Sequence, residues 1–425
     1  MIGSGVFIVP ADIARQVGSP GLLVTVWVVT ALMTVMAALS YGELAAMMPQ
    51  AGGQYVYLRQ AFGPLPAFLY GWTLFLVIQT GTIAAVAVAF AKFTSVFLPL
   101  SAGGQRALAG GVILLLSWVN TQGVREGALV QKVFTLAKIG ALAGLILLGL
   151  FGGRQAGADP NFRHFWEGVE PSWAVIRLVG VAMVGALFSS DAWNNVTFTA
   201  GETKDPARNI PLSLILGVGL VSLLYVLANL IYLQLLPFPA IQNAPQDRVG
   251  TAAAAALLGP PAEKLMAAAI MISTFGCVNG LTLAGARVYY AMALDGLFFR
   301  PVARLNQRTL TPNVSLWAQA AWSMVLALSG RYNDLLDYVI FAVLLFYILT
   351  IVAVFVLRVR HPELPRPYRA VGYPLLPALY VLLAALIEGL LLIYKPSYTW
   401  PGLIIVLLGI PVYFLRRHPK SEVRA

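Results

Sequence analysis

Two short polar interruptions in an otherwise apolar chain hold the residues best able to do chemistry. Gly3, Ser4 and Gly5 open the first apolar run, and Phe188, Ser189 and Ser190 lead into Asp191, Trp193, Asn194 and Asn195 within the sixth. Where the first run starts a helix, its free N–H groups and dipole suit a carboxylate. Glycine there lets a ligand approach without a Cβ in the way. Where the second run unwinds, the carbonyls of Phe188, Ser189 and Ser190 become acceptors for an ammonium. A zwitterion held at both ends has each charge offset the desolvation of the other.

Other polar residues fall inside apolar runs. Lys138 lies within VFTLAKIGALAGL, too far from either end for easy snorkelling, and intramembrane lysines are costly and usually functional. Ser273 and Cys277 are spaced i, i+4 and share a helix face. Thr82 and Gln79 suit either a pocket lining or packing hydrogen bonds. Asp191 reads as an acid facing a water-filled vestibule. Lys92 reads as a snorkelling residue, and Arg287 and Asp295 as residues of the inner end of span 8.

The elements that carry these residues are membrane helices. The 425 residues are 59% hydrophobic and 11% charged, with a mean hydropathy of +0.80, whereas a soluble domain carries about 25% charge. Apolar stretches long enough to cross hydrocarbon as helix are read at 1–17, 21–46, 65–97, 107–123, 129–151, 174–200, 210–236, 263–294, 313–329, 335–357, 372–394 and 400–415. That pattern predicts an all-α polytopic membrane protein of about twelve spans, because only helices or closed barrels satisfy the backbone in lipid and no alternating strands are present.

The net charge of +11 does not read as a nucleic-acid surface. Arg125 and Lys132, Lys204 and Arg208, Arg300, Arg304 and Arg308, Arg358, Arg360, Arg366 and Arg369, and Arg416, Arg417, Lys420 and Arg424 fall in alternate loops. This asymmetry predicts cytoplasmic N- and C-termini. Cys277 alone makes no intrachain disulfide or cysteine-ligated metal site, and His164, His361 and His418 lie in loops. No cofactor or metal is therefore expected, which argues against a redox subunit. GxSxG, HExxH and clustered-acid signatures are absent, so a membrane-embedded enzyme is disfavoured. A channel would call for a ring of pore-lining groups.

The two polar interruptions sit five spans apart, so they belong to halves of opposite orientation. Paired discontinuous helices in corresponding positions mark an inverted-repeat transporter and its binding site. The division expected is 1–152 as a first repeat of spans 1–5, 173–358 as a second of spans 6–10, and 371–416 as a C-terminal pair.

Four blocks carry a family resemblance: IGSGVFIVP at 2–10; YGELAAMMPQAGGQYVYLRQAFG at 41–63, with Glu43 closing span 2; LFSSDAWNNVTFTAGETKDPARNIP at 187–211; and STFGCVNG at 273–280 with ARVYYAMALDGLF at 286–298 and Thr311-Pro312. Together they resemble the amino acid–polyamine–organocation superfamily, nearest its L-amino-acid transporter branch. The resemblance implies a LeuT-like 5+5 inverted-repeat core with discontinuous helices 1 and 6 and two extra C-terminal helices. It also implies secondary transport of amino acids by alternating access.

By that resemblance Gly3, Ser4 and Gly5 bind substrate carboxylate, and the sixth-helix carbonyls at Phe188, Ser189 and Ser190 bind the amino group. Phe188 matches an aromatic gate, and Trp193 and Asn194 match a Trp-Asn pair beside the site; Thr82 is the candidate lining residue from span 3 read above. Ser190 stands where a larger residue is usual. Lys138 takes the place of a coupling sodium ion, with Ser273 and Cys277 as neighbours. The expected substrates are neutral L-amino acids, since Ser189 and Ser190 leave room and no acidic pair awaits a cationic side chain. Sodium-independent exchange or facilitated uptake is expected, with a proton-coupled amino-acid or polyamine symporter as the alternative. No disulfide-linked glycoprotein partner is expected. Residues 1–16 cover about 24 Å as helix, short of the ~30 Å core, so an upstream segment is expected to complete span 1.

Overall fold

The structure is a computed structural model that describes residues 2–152, 159–329 and 332–416, with the described side chains leaving out 124–133, 332–338 and 416. Arg125, Lys132, Arg416, Arg417, His418, Lys420 and Arg424 of the sequence reading lie outside these side chains. The described residues are predominantly helical, as expected. Helices α1 (Gly5–Val17), α2 (Pro20–Met47), α3 (Gln54–Phe62), α4 (Pro64–Thr73), α5 (Gln79–Thr94), α6 (Ala102–Gln122), α7 (Val124–Phe151), α8 (Asp159–Arg163) and α9 (Trp173–Ser190) make up the first part. Helices α10 (Pro206–Leu235), α11 (Phe238–Gln242), α12 (Val249–Leu258), α13 (Pro260–Leu294), α14 (Asn313–Ser329), α15 (Tyr332–Arg360), α16 (Leu375–Tyr394) and α17 (Pro396–Arg416) follow.

Among the described residues ten helical segments are long and apolar enough to cross a membrane. The other two expected spans are α14, at 17 residues, and α1, at 13. Local chemistry sets many of the boundaries. Pro20, Pro64, Pro206 and Pro260 occupy first helical positions, where a missing N–H costs nothing and φ is preset. Gly18 closes α1 in the left-handed region at φ 67°.

Burial is inverted relative to a soluble protein. Leu212, Leu216, Leu220 and Leu223 form an exposed stripe along α10, while Thr30, Thr34, Ser40 and Glu43 of α2 are buried. Lipid solvates the apolar stripe, and two of the polar groups find partners within their own helix: the Thr34 and Ser40 hydroxyls each donate to the carbonyl one turn back. Those bonds satisfy hydroxyls that hydrocarbon would leave unpaired.

Two irregular stretches interrupt the spans. Span 3 passes from α4 to α5 through a π-helical turn at Leu74–Ile78. Its carbonyls are taken up from outside: Leu74 O accepts from the Tyr289 hydroxyl at 3.3 Å, Phe75 O from Thr80 at 2.7 Å and Leu76 O from the Trp322 indole at 2.9 Å. The wide turn is thereby held by α13 and α14. The other break ends α9 at Ser190 and resumes as a 3₁₀ segment, Trp193–Glu202.

Charge gathers at the two ends of the bundle. At one end Glu43, 1% exposed, accepts from Arg358 Nε (2.9 Å) and Nη2 (2.6 Å) and from the Ala370 N–H (2.7 Å), with Arg366 Nε 3.4 Å away. Arg287 pairs with Glu202 at 3.1 Å, and Asp295 accepts from both Tyr55 and Arg59. At the opposite end Asp247 joins Arg15 (2.8 Å) to Lys92 (3.7 Å). Lys92, expected to snorkel, is thus an ion-pair partner.

Removing one side of a buried ion pair strands the other charge and costs about 3 kcal/mol or more. Glu43→Gln is therefore expected to lower the thermal midpoint in detergent clearly. Arg59→Gln, at a half-exposed site, is expected to move it little. Equal midpoints for the two variants would show that Glu43 does not tie α2 to α15.

Candidate functional site

A close approach of two spans places α1 against α9. A Cβ built on Gly5 would lie 2.1 Å from Ser189 Oγ and 2.8 Å from Ser189 Cα, and one on Gly185 would lie 2.4 Å from Val9 Cγ1. The pairs 5 with 189 and 9 with 185 run antiparallel. Glycine at position 5 is therefore required by helix contact itself, a reason the sequence reading had assigned to ligand access alone. Ser4 is 1% exposed, and its side chain makes no capping bond to α1. Phe7 N–H bonds to Ser4 O at 3.0 Å, and the helix start carries no side-chain cap, a setting in which a helix start can take up an anion. The Ser273 hydroxyl, on α13, lies 3.2 Å from Ile2 O and 3.4 Å from Gly3 O and anchors the approach to α1.

The break in span 6 falls slightly beyond the expected place. Phe188, Ser189 and Ser190 form the last turn of α9, and the chain departs at Asp191 (ψ 179°) and Ala192 (φ 62°). The serine hydroxyl explains part of the shift: Ser189 Oγ donates to Gly185 O at 2.7 Å, a bond that tolerates helix. Of the carbonyls expected to be free, Phe188 O accepts the Asp191 N–H at 3.1 Å and Ser189 O accepts the Tyr225 hydroxyl at 3.1 Å. Asp191 Oδ1 accepts from the Tyr347 hydroxyl of α15 at 2.6 Å. Below the break, Asn194 donates to Gln54 Oε1 at 3.0 Å, and Gln54 donates to Thr350 at 2.9 Å. The unwound segment is thus tied to α3 and α15.

Asp191 stands between two small voids of about 10 Å³ each, room for no more than one water. One is lined by Thr34, Ser190, Trp193, Tyr347 and Tyr380; the other by Gln54, Tyr70, Gln79, Thr82 and Asn194. A larger groove, about 450 Å³, is lined by Ile2, Lys138, Trp193, Val196, Leu214 and Cys277. Lys138 is only 5% exposed there.

The expected site residues therefore sort into three neighbouring places. Gly5 and Ser189 meet where α1 crosses α9, with Gly3 and Ser4 in the approach. Ser190, Trp193, Asn194 and Thr82 surround the voids beside Asp191. Lys138 and Cys277 share the groove with Ile2, while Ser273 bonds the chain just ahead of α1. Phe188 is buried in the last turn of α9 and lines none of these cavities. The sequence reading missed Gln54, Tyr347 and the central place of Asp191. A lone glutamine in the Gly-Gly-Gln-Tyr turn and a lone tyrosine in VLLFYILT were the available signals.

Overpacking at such a contact costs about 1–3 kcal/mol. Gly5→Ala is expected to abolish substrate binding and lower the thermal midpoint. Gly5→Ala combined with Ser189→Gly is expected to recover part of both, since the Oγ and Cβ clashes are removed. An unperturbed single variant would contradict the contact.

The family model described as amino acid permease matches residues 1–413. The chain is 33% identical over 430 residues to the human (Homo sapiens) large neutral amino acids transporter small subunit 2, covering 98% of this chain and 77% of that one. The Oryctolagus cuniculus protein of the same name is 33% identical over 432 residues. The b(0,+)-type amino acid transporter 1 of Homo sapiens is 31% identical over 435 residues, 99% of this chain and 85% of that one. With a multi-pass helical bundle, an uncapped first-helix start and a broken sixth span meeting at its centre, the chain belongs to the amino acid permease family of the amino acid–polyamine–organocation superfamily.

Proposed function

We propose that the protein moves neutral L-amino acids across the cell membrane by alternating access, as a sodium-independent exchanger or facilitator. The observation that carries this reading is the meeting of the α1 start with the last turn of α9, one lacking a side-chain cap and the other leading into the non-helical turn at Asp191 and Ala192. The substrate carboxylate binds at Gly3, Ser4 and Gly5, and its ammonium at the turn around Ser189 and Ser190. Trp193, Asn194 and Thr82 border the side chain. The antiparallel pairing of α1 with α9 supports a 5+5 inverted repeat of 1–152 and 173–358, followed by 371–416 as an appended pair.

Lys138 supports independence from sodium. Its buried ammonium lies in the groove with Ile2 of the first span and Cys277 of the eighth, so a fixed cation occupies ground that a coupling ion would otherwise use. The small voids and the open groove support a state closed on one side and accessible from the other. The basic end of the bundle, with Arg59, Arg287, Arg358 and Arg366, supports cytoplasmic termini in a plasma or inner membrane. Cys277 faces the groove, which supports a protein that makes no disulfide to a partner subunit.

The test is uptake of labelled leucine into proteoliposomes with and without internal leucine. Internal leucine is expected to speed uptake, and replacing external sodium with choline is expected to leave it unchanged. Lys138→Ala is expected to drop uptake to background with a shift of only a few degrees in the thermal midpoint. Uptake that falls with sodium removal overturns the role of Lys138. Uptake that acidifies the vesicle interior favours the proton-coupled alternative.

A further inference from the structure

We propose that the loop between α13 and α14, residues 295–312, is a docking surface for anionic phospholipid headgroups. Arg300, Arg304 and Arg308 take the phosphate there, and Phe299 and Leu310 enter the acyl layer behind it.

The charge of the loop is one-sided. It joins the ends of two spans, so it lies where hydrocarbon gives way to water. From Gly296 to Pro312 the sequence holds three arginines and no acid. The acid just ahead, Asp295, is taken by Tyr55 and Arg59, and Glu202 is taken by Arg287. Arg300, Arg304 and Arg308 are exposed, and among the described residues none of them joins an ion pair. A guanidinium presents a planar fork of donors that fits phosphate oxygens. Basic residues near a bilayer surface each add to the hold on anionic lipid.

The apolar side chains of the loop favour a lipid over a soluble anion. Phe299 is 58% exposed and Leu310 67%. Leu310 also stands at φ 54°, a left-handed conformation that a leucine rarely adopts. The surrounding turn imposes it. Asn306 Oδ1 accepts the N–H groups of Arg308 (2.9 Å) and Thr309 (3.2 Å), and Leu310 N–H donates to Asn306 O at 2.9 Å. The Thr311 hydroxyl donates to Thr121 O of α6 at 3.2 Å, which fixes the turn against the bundle. Nothing is gained by holding a strained leucine out into water, whereas burial at the acyl boundary offsets the strain. Val314 and Trp317 are exposed along α14, as is Trp118 on α6, which packs against α14. Tryptophans near span ends mark the headgroup level, so apolar side chains lead from the helix faces to the arginines.

The experiment is native mass spectrometry of the purified full chain in detergent, titrated with phosphatidylglycerol and phosphatidylcholine of matching acyl chains. The readout is the ratio of apparent Kd values for the first bound lipid. Wild type is expected to prefer phosphatidylglycerol at least about tenfold. The triple variant Arg300→Gln, Arg304→Gln, Arg308→Gln is expected to bring that preference within about threefold, and the corresponding triple lysine variant to keep most of it. Leu310→Asn suits a left-handed turn and is expected to weaken both lipids alike, leaving the ratio in place. A wild-type ratio near one, or a preference retained by the triple glutamine variant, overturns the proposal. Displacement of phosphatidylglycerol by inorganic phosphate also overturns it, because the arginines would then serve a soluble anion. If the variants do not fold, the wild-type ratio and its fall with added salt decide.

Discussion

The contact between Gly5 and Ser189 is the constraint on which the site depends. Two membrane helices of opposite direction approach there more closely than any Cβ permits, and each is irregular within a residue or two of the contact. In hydrocarbon an unpaired backbone group costs several kcal/mol, so non-helical backbone survives only where protein or a cavity surrounds it. The bundle meets that demand with side chains: the Tyr225 hydroxyl donates to Ser189 O, and the Ser273 hydroxyl to Ile2 O and Gly3 O. The same bonds hold the two breaks beside each other, where the proposed site takes the two ends of its ligand.

Charge inside the bundle is sparse and placed around that contact. Lys138 lies in the groove on one side, and Asp191 lies between the voids on the other. At the bundle ends the charges are paired instead. Glu43 with Arg358 ties α2 to α15 at one end, and Asp247 ties α1 to α5 through Arg15 and Lys92 at the other. In the proposed alternating-access cycle, opening either side requires one of these end clusters to part while the central contact persists.

Much of this was legible in the sequence because lipid imposes simple rules. Each expected span has its counterpart in helix, since an apolar run of that length has no other stable form in a bilayer. The polar interruption in span 6 was legible for the same reason, as polar residues are not kept in lipid without cause. The exact break was not. The Phe188–Ser190 turn remains helical because serine can back-bond within a helix, and the left-handed residue is Ala192, which propensity would place inside one. The π-turn at Leu74–Ile78 was illegible, because LFLVI reads as ordinary apolar helix and the turn is held by Tyr289 and Trp322 far along the chain. Short helices such as α3 and α12 were read as loop, their apolar faces being too brief to register. The superfamily motifs pointed to the candidate residues, but only tertiary contact set Asp191 among Gln54, Gln79 and Thr82.

The central claim is that the helix start at Gly3 to Gly5 and the broken sixth span each hold one end of a zwitterion. It is tested most directly by binding to the purified protein of L-leucine, leucinamide, which lacks the carboxylate, and 4-methylpentanoate, which lacks the ammonium. The account predicts that each single-ended analogue binds about 100-fold more weakly than leucine, as expected for loss of a buried charged hydrogen-bonding group. Leucinamide or 4-methylpentanoate binding as tightly as leucine would contradict it.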